Sequence, residues 1–163
     1  MNFNWRKVNE DDYTVLDEWT SEDIKKYITF GNEFVISEYV EMFSYISDRN
    51  AYVAIDDNEE IVGVLLYDHK VYDPKIKDSG INIQVLVVNP ELLRRGIATK
   101  MLEDVIAENK EEYSVFRVHV EKENIPCVKL LTKLGFAIEG KNKKKSKCCI
   151  YKLDTRELNK NRK

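Results

Sequence analysis

The chain has 163 residues and a formal net charge of −3. That length suits one domain with a substantial core, and the near balance of charge excludes a general pull toward nucleic acid or an anionic membrane. Three cysteines without a C-x-x-C pattern, and two histidines far apart (His69 and His119), argue against a disulfide framework and against a metal site. No apolar stretch has the length of a signal peptide or a membrane span, so a reducing cytoplasm is the expected setting.

Charge is unevenly spread. Residues 10–23 hold seven acids and no Lys or Arg, while residues 141–163 hold ten Lys/Arg against two acids. The basic end reads as a solvated hairpin and tail, because no aromatic residues interleave with it to stack on bases.

In chain order, residues 3–8 predict a first strand. Glu10, Asp11 and Asp12 complement the start of a helix carrying Val15, Leu16 and Trp19. A second helical piece begins near Ser21, with Ile24, Tyr27 and Ile28 on one face, and Gly31-Asn32 interrupts it. Ile36, Tyr39, Val40, Phe43 and Ile46 continue at helical spacing. Residues 51–56 and 60–68 predict a hairpin turning at Asp57-Asn58, and residues 69–80 a polar connection.

Ile81 to Val88 predicts a strand, and its run Val85-Leu86-Val87-Val88 predicts cover on both faces. Asn89-Pro90 ends it. Ile97, Met101, Leu102, Val105 and Ile106 then recur with the period of a helix over 96–109. Between strand and helix lies Arg94-Arg95-Gly96-Ile97-Ala98-Thr99. A helix start leaves main-chain N–H groups without intrahelical partners and carries partial positive charge. Gly96 allows close approach to the backbone, and two arginines add full charges. The combination suits a phosphate or pyrophosphate; an ordinary strand-to-helix turn with solvated arginines is the competing reading.

Ser114–Val120 is the next strand, and strand–helix–strand order implies a parallel pair with a right-handed crossover. Asn124 predicts an N-cap, Pro126 fits the first turn, and Cys127, Leu130, Leu131 and Leu134 form one apolar face. Gly135 predicts a left-handed C-cap. A strand from Phe136, a polar connection over 141–147, a return strand over 148–153 and a frayed tail complete the chain. Cys148 and Cys149, adjacent on a strand, point to opposite faces.

Two stretches together resemble the GNAT-type N-acetyltransferases. That family's Gln/Arg-x-x-Gly-x-Gly/Ala loop aligns on Leu93 to Ala98, with Gly96 and Ala98 matching and Leu93 departing. Its Asn-x-x-Ala-x-x-Leu-Tyr-x-Lys-x-Gly-Phe aligns on Asn124 to Phe136. Asn124, Leu130, Lys133, Gly135 and Phe136 match there, while Cys127 and Leu131 replace the Ala and the Tyr. The resemblance covers residues 50–154 well and the front loosely. It implies an α/β (α+β) single-domain fold over 1–163: acceptor-side helices in 1–49, a CoA-binding core in 50–154 and a tail in 155–163. The implied sheet is mixed and mostly antiparallel, of about six to seven strands, with a parallel splayed central pair and about four helices.

The resemblance further implies acetyl-CoA as cosubstrate, with no metal. Its pyrophosphate would lie on the N–H groups of Arg94, Arg95, Gly96, Ile97, Ala98 and Thr99, and its pantetheine arm would pair with Leu86, Val87 and Val88. Asn124 would meet the pantetheine amides, or act only as an N-cap. An N–H near Leu86 would stabilise the oxyanion. Where the family often has a glutamate base this chain has Gln84, which can orient a water but not take a proton. The Tyr often used as acid is replaced by Leu131. His119, Glu121 and Tyr67 are the candidate substitutes, though His119 reads first as a packing residue and only second as a base. The implied reaction is acetyl transfer to a primary amine of a small molecule or peptide. An acyl-CoA-binding module without transfer activity is the alternative.

Overall fold

The computed structural model describes residues 3–19, 36–44, 49–69, 80–141 and 148–157. The helical piece expected from Ser21, the break at Gly31-Asn32, most of the connections at 69–80 and 141–147, and the chain beyond 157 lie outside the described residues. Seven strands hydrogen-bond in the order β1-β2-β3-β4-β5-β7-β6. They are β1 Asn4–Lys7, β2 Arg49–Ile55, β3 Ile61–Asp68, β4 Ile81–Val88, β5 Val115–Glu121, β6 Ala137–Lys141 and β7 Cys148–Asp154. Four described α-helices accompany them: α1 Tyr13–Glu18, α2 Ile36–Ser44, α3 Ile97–Asn109 and α4 Ile125–Lys133. The mixed sheet and the parallel β4–β5 step agree with expectation. Contacts divide the chain into two compact units, Met1–Asp68 with Gln84–Met101, and His69–Ile83 with Leu102–Lys163.

In the first unit, β1, β2 and β3 form an antiparallel meander. Val53, Ile55, Val64, Leu66, Val85 and Val87 pack with Leu16 and Trp19 at α1 and with Ile36 and Val40 of α2. Alternation puts Gly63 on the other face of β3. A Cβ there would meet Met101 Sδ at 2.5 Å, so the missing side chain lets α3 lie close to the sheet. The acids at 10–12 form a 3-10 turn ahead of α1, with Asn9 and Asp12 capping it reciprocally. Arg6 grips both oxygens of Asp12, at 2.8 and 2.7 Å. Burial pushes the Asp12 carboxyl up, but the bonds from Arg6 and the Asn9 N–H outweigh it and hold it below the ordinary value. The Asp17 carboxylate accepts from Ser37 N and Oγ at 2.9 and 2.7 Å, which fastens the start of α2 to α1.

The hairpin turns at Asp57-Asn58 as expected, closed by Glu59 N donating to Asp56 O at 3.1 Å. Asp56 Oδ1 accepts from the N–H groups of both Asn58 and Glu60, and the left-handed residue is Glu59, at φ 62°. An Asx-type bond from Asp56 supports the turn.

In the second unit, β5 pairs with β7, and β7 with the edge strand β6. Phe116, Val118, Val120, Leu131, Phe136, Cys149 and Leu153 are buried. Of the expected apolar face of α4, Leu131 is fully buried, while Cys127, Leu130 and Leu134 are half-buried. Helix α4 ends as expected: Gly135 lies at φ 97°, Phe136 N donates to Leu131 O and Gly135 N to Thr132 O. The start of the tail is tied, not frayed. Asp154 pairs with Val115, Thr155 N donates to Ser114 O at 2.9 Å, and Arg156 clasps the Asp154 carboxylate at 2.7 Å.

Candidate active site

The first unit holds most of the residues singled out from the sequence. Asn89 ends β4: its N–H donates to Val62 O at 2.9 Å, and its Oδ1 accepts from Glu91 N at 3.0 Å, starting a short 3-10 turn over Pro90–Leu92. Leu93 is then extended and 59 % exposed. Arg94 is left-handed at φ 66°, and Gly96 is left-handed at φ 75°. Left-handed residues interspersed in a turn converge successive N–H groups into a concave, anion-binding nest. Gly96 O accepts the first helical bond, from Lys100 N at 3.1 Å, so the N–H groups of Ile97, Ala98 and Thr99 stand ahead of the α3 ladder.

Gly96 is needed for its backbone angle. A Cβ there would meet nothing within 4 Å, so the space above it is open. Arg94 and Arg95 are exposed. The exposure of Leu93 gives its side chain no packing role, so the departure from Gln/Arg at this position leaves the turn's geometry untouched.

Strand β4 changes character along its length. Ile81, Asn82 and Ile83 are all buried and pair in parallel with Phe116, Arg117 and Val118. That register ends at Ile83↔Val118. From Gln84 onward the strand alternates, with Val85 and Val87 buried and Gln84, Leu86 and Val88 half-buried. The expectation of cover on both faces is therefore corrected for Leu86 and Val88: an aliphatic run does not reveal that only alternate members reach the core.

Gln84 has a neighbour that the sequence reading passed over. Its Nε2 lies 3.5 Å from Asp68 Oδ2, at the outer edge of hydrogen-bond range, and Asp68 is 3 % exposed. The only signal was a charged residue closing an otherwise apolar strand, IVGVLLYD.

His119 and Asn124 belong to the second unit. His119 is half-buried on β5, in register with Ile150. Asn124 precedes α4, but its side chain makes no capping bond. Asn124 thus holds the N-cap position, its O accepting from Val128 N at 3.1 Å, but at φ −79° and ψ 72° it departs from the extended backbone typical of a side-chain cap. Leu131, where a Tyr is common in the family, is fully buried and serves the core. Tyr67 is buried and stacked on Tyr52, ring centroids 5.9 Å apart. Burial pushes the Cys127 thiol up to about 11, which keeps it protonated and unsuited to nucleophilic attack at neutral pH.

A mixed sheet with a parallel step, followed by a donor-rich turn and a helix, defines an α/β class, and such a turn is of the kind that suits an anionic group. The acetyltransferase (GNAT) family model matches residues 10–136, and the chain belongs to that family. No curated protein matches the sequence significantly. Solved structures share the fold at low identity. A spermidine N-acetyltransferase from Vibrio cholerae, in complex with CoA and spermine, is 16 % identical, covers 96 % of this chain and 98 % of its own, and has a TM-score of 0.73. An aminoglycoside N(6')acetyltransferase from Legionella pneumophila is 17 % identical, with coverage of 98 % and 95 % and a TM-score of 0.75. The GNAT domain of S. lividans PAT is 20 % identical, with coverage of 93 % and 90 % and a TM-score of 0.73.

Proposed function

We propose that this protein transfers the acetyl group of acetyl-CoA to a primary amine by direct attack. The observation that carries the reading is the turn at Arg94–Gly96, with two left-handed residues and the leading N–H groups of α3 beyond them. In the proposal the diphosphate of acetyl-CoA lies on the N–H groups of Arg94 to Thr99. Charge-assisted hydrogen bonds contribute about 1.5–3 kcal/mol each, so two or three outweigh a dipole effect of about 0.3–1 kcal/mol. The pantetheine arm pairs with the main chain of Leu86, Val87 and Val88, beyond the last parallel pair at Ile83. An N–H near Leu86 then donates to the thioester oxygen. Asn124, its side chain not used in capping, offers an amide to the pantetheine.

The attacking amine must be neutral. For a lysine-like amine, deprotonation at pH 7 costs about 4–5 kcal/mol; for an α-amino group it costs about 1 kcal/mol. Gln84 cannot accept that proton, so the site favours an amine of lower pKa or a proton acceptor elsewhere. The relatives named above act on spermidine and aminoglycosides, which supports a small-molecule amine as acceptor.

Calorimetry with acetyl-CoA tests the binding half, and thiol release with a panel of amines tests transfer. Tight binding without CoA release for any amine would favour an acyl-CoA-binding module, the reading to which Gln84 gives its one specific support. Absence of binding would remove both.

A further inference from the structure

Asp68 closes β3 with 3 % of its surface exposed, and its Oδ2 lies 3.5 Å from Gln84 Nε2. A carboxylate only accepts, so it selects the nitrogen end of the neighbouring amide and leaves Gln84 Oε1 to accept from another group. We propose that Asp68 is the proton acceptor of the transfer reaction, with Gln84 presenting the incoming amine beside it. This rests on the function proposed above. The oxyanion donor proposed there is near Leu86, two residues along the same strand. At a strand's rise that places Gln84 about 6.6–6.8 Å along β4 from the donor. On β2 the register partner of Asp68 is Arg49, and His69 follows it in the chain.

Gln84 Oε1 accepts one N–H of the amine and directs its lone pair at the thioester carbon. The N–C bond forms, the C–S bond breaks, and the electron pair leaves on sulfur. The proton lost by nitrogen passes through one water to the Asp68 carboxylate and from there to the thiolate or to solvent. The buried acid on β3 thereby supplies the carboxylate that β4 lacks.

Asp68→Asn is the first test. It keeps an oxygen for Gln84 Nε2 and removes the group that can take a proton. With acetyl-CoA and spermidine, an aminoglycoside or a peptide with a free α-amino group, kcat is expected to fall by about 10²–10⁴-fold, the usual worth of a general base. The KM for acetyl-CoA stays unchanged. Combining Asp68→Asn with Gln84→Glu exchanges carboxylate and amide between the strands and is expected to restore kcat. A packing role for the pair predicts no such recovery and no change in the pH profile. Undiminished kcat in Asp68→Asn, or no recovery in a folded double variant, overturns the proposal.

A second measurement needs neither variant to turn over. In the wild-type protein loaded with acetyl-CoA, the NMR signals of the Gln84 side-chain amide should follow the ionisation of a neighbouring carboxylate as pH changes. Signals indifferent to pH overturn the pairing. Acetyl-CoA that fails to bind overturns the function proposed above, whereas bound acetyl-CoA with full turnover in Asp68→Asn overturns this inference alone.

Discussion

The two halves of β4 carry similar residues and do different work. Ile81–Ile83 are buried at every position and paired in parallel with β5, whereas Gln84–Val88 lie beyond that register and bury only Val85 and Val87. Hydrophobicity alone does not separate them. The first half is fully enclosed sheet. The second places two valines in the core of the first unit and leaves Leu86 and Val88 half-covered beside a polar Gln84. An aliphatic side chain that is half-covered in a strand leading to a donor-rich turn suits a ligand that recognises main chain rather than side chain.

The sharpest way to break that contrast is at the turn which the second half feeds. Gly96→Glu should abolish acetyl-CoA binding in calorimetry, a loss of about 100-fold or more, because two or three charge-assisted bonds of about 1.5–3 kcal/mol are at stake. Gly96→Asn is the control for backbone strain, since Asn tolerates a positive φ better than other side chains, and it should keep the fold and part of the affinity. Equal affinity in the wild-type protein and Gly96→Glu would refute the placement of the diphosphate.

Next in size is a pair of substitutions within the strand. Val87→Ala should lower stability by about 2 kcal/mol in denaturant unfolding, through lost burial and a cavity. Val88→Ala, one residue on and half-buried, should cost under about 1 kcal/mol. Equal costs would mean that the two faces are not distinguished as described.

Smaller still is an acid-side effect at the front of the first unit. The Asp12 carboxyl is held below its ordinary value of 3.8 despite its burial, by Arg6 and the Asn9 N–H. Its contribution is complete above that value and is lost as pH falls through the lower folded value. Asp12→Asn should therefore flatten the loss of stability below the usual carboxylate range; an acid limb unchanged from wild type would contradict the stated cause.

The smallest effect concerns the second unit. With its thiol pushed to about 11, Cys127 should resist alkylation at pH 7–8, and Cys127→Ala should leave acetyl transfer unaltered. An acetylated Cys127 intermediate trapped during turnover would replace direct attack with a covalent route.

Much of this was open to a reader of the sequence. Helix period put Ile97, Met101, Leu102, Val105 and Ile106 on one face; the first four are buried and Ile106 is half-buried. The Gly135 cap was legible because only a residue without Cβ takes φ 97° without strain. The turn at Gly96 was legible for a similar reason. What stayed hidden involved partners distant in the chain. Nothing local marks Arg94 as left-handed, Leu86 as half-covered or Asp68 as the neighbour of Gln84, sixteen residues away.

By itself the sequence determined the strands and helices among the described residues, because period, capping and φ preference are properties of neighbouring residues. It also placed the donor-rich turn. Only the tertiary structure decided how far β4 and β5 pair, which face of β4 meets the core, and which acid lies beside the amide of Gln84. Those outcomes depend on strand register and on packing between segments remote in the chain, and no local pattern encodes either.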